Sequence, residues 1–219
     1  DGNADIYIVN LDDGQLIQVT HDQFSDFDPA WSPDGKTIAF ISDRGDNLTT
    51  PADSSFRMAQ YDYRKMDVYL ADAGSFQLTR LTRDPSSKRT PEWTPRDNIL
   101  SYISDRDGVY NLYLHNLGTG EVYAITNLLT GAFQPSWSAS GGLAFSSLFE
   151  AGYDIFYLRD PFDPSLKRSA LEIKSIPDST VSLSEQNNPA EPQPDQLGLQ
   201  EAGPAPPGRI VFDDRYREE

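Results

Sequence analysis

Residues 29–44 read Pro29-Ala30-Trp31-Ser32-Pro33-Asp34-Gly35-Lys36-Thr37-Ile38-Ala39-Phe40-Ile41-Ser42-Asp43-Arg44. A short apolar strand, Pro29 to Trp31, runs into the turn Ser32-Pro33-Asp34-Gly35. Pro33 pre-sets φ for a tight turn, and Gly35 accepts the positive φ that closes it. A second strand follows with Ile38 and Phe40 expected inward and Ala39 and Ile41 outward. It stops at Ser42-Asp43-Arg44. Two apolar strands about a turn with that chemistry spell a β-hairpin.

The same phrase returns at Pro91–Arg106 as P-E-W-T-P-R-D-N-I-L-S-Y-I-S-D-R, and in eroded form at Pro135–Ser147 as P-S-W-S-A-S-G-G-L-A-F-S-S. A second phrase recurs four times, at Asp5-Ile6-Tyr7, Asp67-Val68-Tyr69, Asn111-Leu112-Tyr113 and Asp154-Ile155-Phe156. A third is Val19-Thr20, Leu81-Thr82 and Ile125-Thr126. Trp31 to Trp93 is a step of 62 residues and Trp93 to Trp137 a step of 44; Thr20, Thr82 and Thr126 are separated by the same two steps. The strand phrase steps by 62, 44 and 43. Independent markers sharing one period define a repeat of 43–44 residues, with 18 extra in the first full unit.

Each unit holds four short antiparallel strands. Such a sheet cannot bury both faces alone and must stack on its neighbours. Four strands in a unit of this length is the arithmetic of a β-propeller blade. The expected organisation of this all-β chain is a half blade at 1–20, blades at 28–82, 90–126 and 134–175, and a linker at 176–219. The last strand of the third blade is expected near 169–174. A ring takes about 4–8 blades, so the end blades should expose apolar faces unless missing blades or another copy cover them. Asp1-Gly2 aligns with Asp107-Gly108, which follows Ser104-Asp105-Arg106; on that alignment the chain is a fragment of a longer one. Residues 176–208 hold seven of the sixteen prolines and no periodicity, the composition of a disordered acidic linker.

The formal net charge is −16. Nucleic-acid backbones and anionic lipid surfaces select Lys/Arg-rich partners, so neither is expected here. There is no cysteine, and hence no disulfide, thiolate metal site or Cys nucleophile. No apolar run is long enough to span a membrane as a helix.

The joined phrases P-A-W-S-P-D-G-K-T-I-A-F-I-S-D-R and D-I-Y-I-V-N-L-D-D-G-Q-L-I-Q-V-T resemble the TolB-like, WD40-like PD40 propeller repeat over roughly residues 1–160. The third blade departs from the pattern, with Ser-Ala-Ser-Gly-Gly for S-P-D-G and Ser147-Leu148 for Asp-Arg. The resemblance implies a propeller that is mostly bacterial and extracytoplasmic and serves as a protein-binding platform. On that reading the location is periplasmic or otherwise extracytoplasmic, and the partner is an envelope or secreted protein.

No G-x-S-x-G is present, and no spacing of Ser, His and Asp suggests a triad. The two histidines, His21 and His115, cannot make a three-His metal site, which disfavours an oligogalacturonate-lyase-like centre. The Asp-Gly turns lack the spaced oxygen ligands of a calcium loop. The chain is therefore expected to carry no metal, no cofactor and no enzyme activity of its own. The alternative is an accessory or gating propeller of a multidomain, prolyl-oligopeptidase-like hydrolase whose catalytic domain lies elsewhere. Glycan binding at the channel mouth is a lesser reading.

The insertion Gly45–Met66 is the one element the repeat does not require. Loops joining strands two and three, and those joining successive blades, share one propeller face. The insertion therefore lies with residues 21–28, 83–90 and 127–134. Phe56, Arg57, Tyr61, Tyr63 and Arg64 are the expected partner anchors, because such side chains bury large area with a polar handle. Asp26, Phe27, Asp43 and Arg44 are expected at the rim of the same face. A structural role for Asp43 and Arg44, capping the turn and pairing between blades, competes with that reading. Trp31, Trp93 and Trp137 are expected to pack in the core.

Overall fold

A computed structural model describes residues 3–49 and 64–167. All of them belong to the first of two units, Asp1–Ser175. The described residues form four successive antiparallel sheets. The first pairs β1 (Tyr7–Val9) with β2 (Leu16–Gln18). The second runs β3 (Asp26–Trp31), β4 (Thr37–Ser42), β5 (Asp67–Asp72), β6 (Leu78–Arg80) in spatial order. The third repeats it with β7 (Lys88–Trp93), β8 (Ile99–Ser104), β9 (Asn111–Asn116) and β10 (Val122–Ala124). The fourth has β11 (Phe133–Trp137), β12 (Leu143–Phe149) and β13 (Gly152–Leu158). The fourth strand expected at 169–174 lies outside the described residues, as does the linker.

The hairpin forms as its residues dictate. Gly35 takes φ +68°. The Ser32 hydroxyl donates to Asp34 at 2.7 Å and accepts from the Thr37 amide at 2.9 Å, so the turn is held from inside. The recurrent threonine has an equally local cause. The hydroxyls of Thr20, Thr82 and Thr126 each accept the amide of Ile6, Val68 or Leu112 at 2.9 Å, pinning the segment after the outer strand to the third strand. Thr82 and Thr126 then donate to Asp67 and Asn111, also at 2.9 Å. This accounts for Asp or Asn at the head of the strand phrase.

The inner strands begin earlier than the apolar residues suggest, at Asp26 rather than Pro29, because each carries a bulge. The residue before the proline leaves the extended region: Asp28 has φ 52°, Thr90 φ 42° and Gln134 φ 50°. The proline has no N–H to give to the ladder, and the bulge removes it from pairing.

The second strand is not amphipathic as expected. Ile38, Ala39, Phe40 and Ile41 are all buried. Blades stack on both faces of β4, so its two sides serve two cores. Ile38 and Phe40 meet Ile6 and Val19 of the first sheet, while Ala39 and Ile41 meet Leu100, Tyr102 and Tyr113 of the third. The next core repeats this with Ile103, Leu112 and Leu114 against Leu143 and Phe145. Val68 and Leu112 are 0% exposed, whereas Ile155 at the same repeat position is 83% exposed. Among the described residues no sheet follows to cover it.

Trp93 and Trp137 reach back to the preceding blade. Their indole N–H groups donate to the Ala30 carbonyl at 3.1 Å and the Ser101 hydroxyl at 2.7 Å. Trp31 departs from the expected core role and is 49% exposed. Among the described residues the sheet before it holds only β1 and β2, and no inner strand lies there for its indole to meet.

Candidate functional site

Antiparallel pairing places the starts of β3 and β5 and the ends of β4 and β6 at one end of the second sheet, and the same holds for the third. Residues 21–28, 83–90 and 127–134 therefore share one face with the loops leaving β4, β8 and β12. Recurrent bonds tie these loops together. Asp43 accepts the Ser25 amide at 2.9 Å, and Asp105 accepts the Ser87 amide at 2.7 Å. The third blade, lacking that aspartate, uses the Thr130 hydroxyl on the Leu148 carbonyl at 2.9 Å.

Of the expected anchors, Phe56, Arg57, Tyr61 and Tyr63 lie outside the described residues. Arg64 is exposed three residues before β5. Phe27 is 43% exposed on the expected face. Asp26, Asp43 and Arg44 correct the rim reading, for all three are buried. The Arg44 guanidinium donates to both Asp26 oxygens at 2.7 and 2.6 Å and to Asp22 at 2.9 Å, with Nε on the Ser42 hydroxyl at 3.1 Å. The rings of Phe24, Phe40 and Tyr69 surround it at 5.6, 5.7 and 5.8 Å. Two carboxylates and three aromatic faces satisfy this cation internally, so it presents nothing to a partner. Burial works against its charge, but Asp26 and Asp22 more than offset that and hold the guanidinium protonated.

The second blade rearranges the same position. Lys88 stands where the first blade has Asp26, and it is buried with its ammonium on Asp84 at 2.7 Å and near Asp67 at 3.6 Å. With a cation already inside, Arg106, the counterpart of Arg44, turns out and is exposed. In the third blade strand register corrects the sequence alignment by one residue: Leu148-Phe149, not Ser147-Leu148, stand at the Asp-Arg positions, the pair becomes Ala132 and Phe149, and the cluster is gone. Next to Lys88, Arg89 replaces the phenylalanine found at positions 27 and 133. It is exposed, with its guanidinium 4.3 Å from the Tyr110 ring. On the following blade Phe133 meets Tyr153 edge to face at 5.9 Å. Sequence reasoning about the insertion missed Lys88 and Arg89, although aligning the repeat shows both as departures from it.

Deeper in the same inner strand, Glu92 accepts the Trp137 amide, and burial pushes its carboxyl up to about 7. Among the described residues no three His, Asp or Glu side chains gather closely enough to hold a metal ion. No helix of the described residues is long and apolar enough to cross a membrane.

Stacked four-stranded sheets with inner strands side by side define a β-propeller. Comparison with known proteins narrows the class. No family model matches the chain. The uncharacterized peptidase YuxL of Bacillus subtilis is 28% identical over 164 residues, covering 66% of this chain and 25% of the relative. The Tol-Pal system protein TolB of Alcanivorax borkumensis is 29% identical over 85 residues, covering 37% of this chain and 19% of the relative. A solved structure assigned as TolB from Agrobacterium tumefaciens superposes with a TM-score of 0.57 at 22% identity, over 72% of this chain and 53% of that one. The fold is a β-propeller like that of TolB. The chain spans a quarter or less of the length of these curated relatives. The expectation that the protein is not an enzyme is overturned here, since a peptidase matches two-thirds of the chain.

Proposed function

We propose that this TolB-like propeller is a polypeptide-binding module that works outside the cytoplasm of a bacterium, on an envelope or secreted protein. Its binding surface is the face that carries residues 21–28, 83–90 and 127–134 and the insertion, with Phe56, Arg57, Tyr61, Tyr63 and Arg64 as anchors and Phe27 beside them. The observation that carries this reading is the concentration of aromatic and Arg side chains at one face: exposed Phe27, exposed Arg89 on half-buried Tyr110, and half-buried Phe133 against exposed Tyr153. Rigid stacked blades hold these groups in place, which lowers the ordering cost of binding. The likeness to TolB supports the extracytoplasmic setting.

The test is affinity capture from an extracytoplasmic bacterial extract, with the chain and a version lacking residues 45–66 as baits. Both are first checked for folding by circular dichroism. A protein retained by the full bait and lost on deletion supports the reading, and Tyr61→Ala with Tyr63→Ala should weaken its binding at unchanged stability. Identical captures sink the role given to the insertion.

A second reading has equal support. The match to a peptidase over 164 residues favours a propeller inside a larger hydrolase, where the polypeptide bound is a substrate on its way to a catalytic domain. A nucleophile elbow, G-x-S-x-G, in the flanking sequence of the parent gene decides for it. A flanking sequence without one decides against it.

A further inference from the structure

At the seam between the second and third blades two side-chain pairs lie on either side of one glycine. The Arg89 guanidinium lies on the Tyr110 ring at 4.3 Å. The Tyr110 carbonyl accepts the Ala132 amide at 2.7 Å, which holds the Tyr110 backbone against the next blade, and its side chain packs on the core that contains Ala132. Gly131, at φ +90°, fills the gap. A Cβ there would stand 3.1 Å from the Phe133 ring and 3.4 Å from the Tyr110 carbonyl oxygen, so only glycine lets the two aromatic residues approach. Phe133 then packs against Tyr153, which is 69% exposed.

Arg89 is the unusual member of these pairs. Acidic residues outnumber basic ones 34 to 18 in this chain, yet Arg89 has no carboxylate partner among the described residues. Lys88 has drawn Asp84 and Asp67 to itself, and Asp28 is engaged by the Thr90 amide at 3.1 Å. An exposed guanidinium stacked on a tyrosine keeps its in-plane donors free and pre-aimed, the geometry that takes a carboxylate through two parallel hydrogen bonds. Flanking aromatic faces offer apolar contact on one side of it.

The geometry points to a carboxylate-recognition subsite centred on Arg89, which takes an acidic side chain of a polypeptide segment while Tyr110, Phe133 and Tyr153 take a neighbouring aromatic side chain. This rests on the polypeptide-binding reading and names the chemistry of the segment bound. Charge complementarity is local: the overall charge of −16 repels acidic peptides, so only a segment that engages Arg89 directly overcomes it. Arg106 is exposed on the same blade end and adds positive potential to approach.

Fluorescence anisotropy tests this with a fluorescein-labelled, amidated peptide Gly-Tyr-Glu-Phe-Glu-Gly and its counterpart with Gln at both Glu positions. The acidic peptide should bind wild type about tenfold more tightly than the Gln peptide, the range of one charge-assisted pair. Arg89→Ala should bring the acidic peptide to the Gln level. Arg89→Lys should restore only part of the difference, because an ammonium lacks the planar fork. Lys36→Ala, at an exposed lysine paired with Asp34 in the β3–β4 turn at the opposite end of the second sheet, should change nothing and controls for general charge. Equal affinity for the two peptides, an unaffected Arg89→Ala, or no binding of either peptide overturns the subsite. A captured protein whose binding survives Arg89→Ala sinks the subsite and leaves the binding module standing. Failure to capture any polypeptide sinks the module reading itself.

Discussion

Replacing Arg44 by Met should remove a large part of the protein's stability, although Arg44 lies in no strand. The side chains of Arg44, Asp22 and Asp26 are fully buried. Removing the cation leaves two buried carboxylates beside the rings of Phe24, Phe40 and Tyr69 with their cationic partner gone. Breaking a buried pair from one side costs about 3–5 kcal/mol, most of it from the stranded charge. A domain of this size has roughly 5–15 kcal/mol in total. Burial already pushes the Asp26 carboxyl up against the pull of Arg44, and without that cation its folded-state pKa lies further above the unfolded one. Protonation then favours the folded state, and the deficit of Arg44→Met should shrink as pH falls from 8 to 5. Urea titrations followed by tryptophan fluorescence measure this directly. The internal control is Arg106→Met at the same repeat position. Arg106 is exposed, Lys88 having taken the interior place, so that change should stay within about 0.5 kcal/mol. If the two variants lose equal stability, or if Arg44→Met loses less than about 1 kcal/mol at pH 8, the assignment of an interior, charge-neutralising role to Arg44 and not to Arg106 is wrong.

Three further outcomes are expected. Glu92 has its carboxyl raised from 4.5 to about 7 by burial, so its contribution is full below pH 4.5 and is lost as pH rises through 7. Glu92→Gln keeps an acceptor for the Trp137 amide and should remove that fall. It should gain about 1–2 kcal/mol at pH 8, less than the full shift implies because the side chain keeps some solvent. His115 has the opposite sign: burial beside Tyr102 lowers its pKa and its Nδ1 has no partner, so stability drops as pH falls below the ordinary histidine value of about 6.5. His115→Leu, matching Leu158 at the same repeat position, should flatten the acid limb of a pH–stability curve. In the β12–β13 hairpin Phe149 pairs with Gly152 across Glu150 and Ala151, at φ 46° and 75°. Glycine suits such a turn, so Ala151→Gly should raise stability by about 0.5–1 kcal/mol, read as a higher melting temperature.

The blade plan was legible because three phrases recur at one period and each has a local cause: the Ser32–Asp34 turn, the threonine that takes a strand amide, and the tryptophan that reaches the previous blade. What could not be read was the side of each strand that meets water. Alternation in β4 suggests one dry face, but stacking buries both, and a single repeat carries no sign of its neighbours. Asp43-Arg44 and Asp105-Arg106 read alike, and yet one arginine is interior and the other exterior. The deciding residue stands 18 places earlier in each case, Asp26 or Lys88, across a strand pairing that local sequence does not announce.

That comparison bears on where function resides. A position that holds the same residue in every blade is occupied by the needs of the blade, as Thr20, Thr82 and Thr126 are. A position that changes charge between blades is freed from that need. Lys88 alters the interior cluster and so displaces Arg106. Arg89, beside it, puts a cation where the flanking blades have phenylalanine. Neither change improves packing: Lys88 must be neutralised by two aspartates, and Arg89 gives up an apolar side chain at a seam that Phe133 fills with a ring. The second blade has thus exchanged apolar contact for positive charge at one spot on an acidic protein, where Arg89 has no carboxylate partner among the described residues. Packing alone gives no reason for that exchange; an anionic group arriving from outside does.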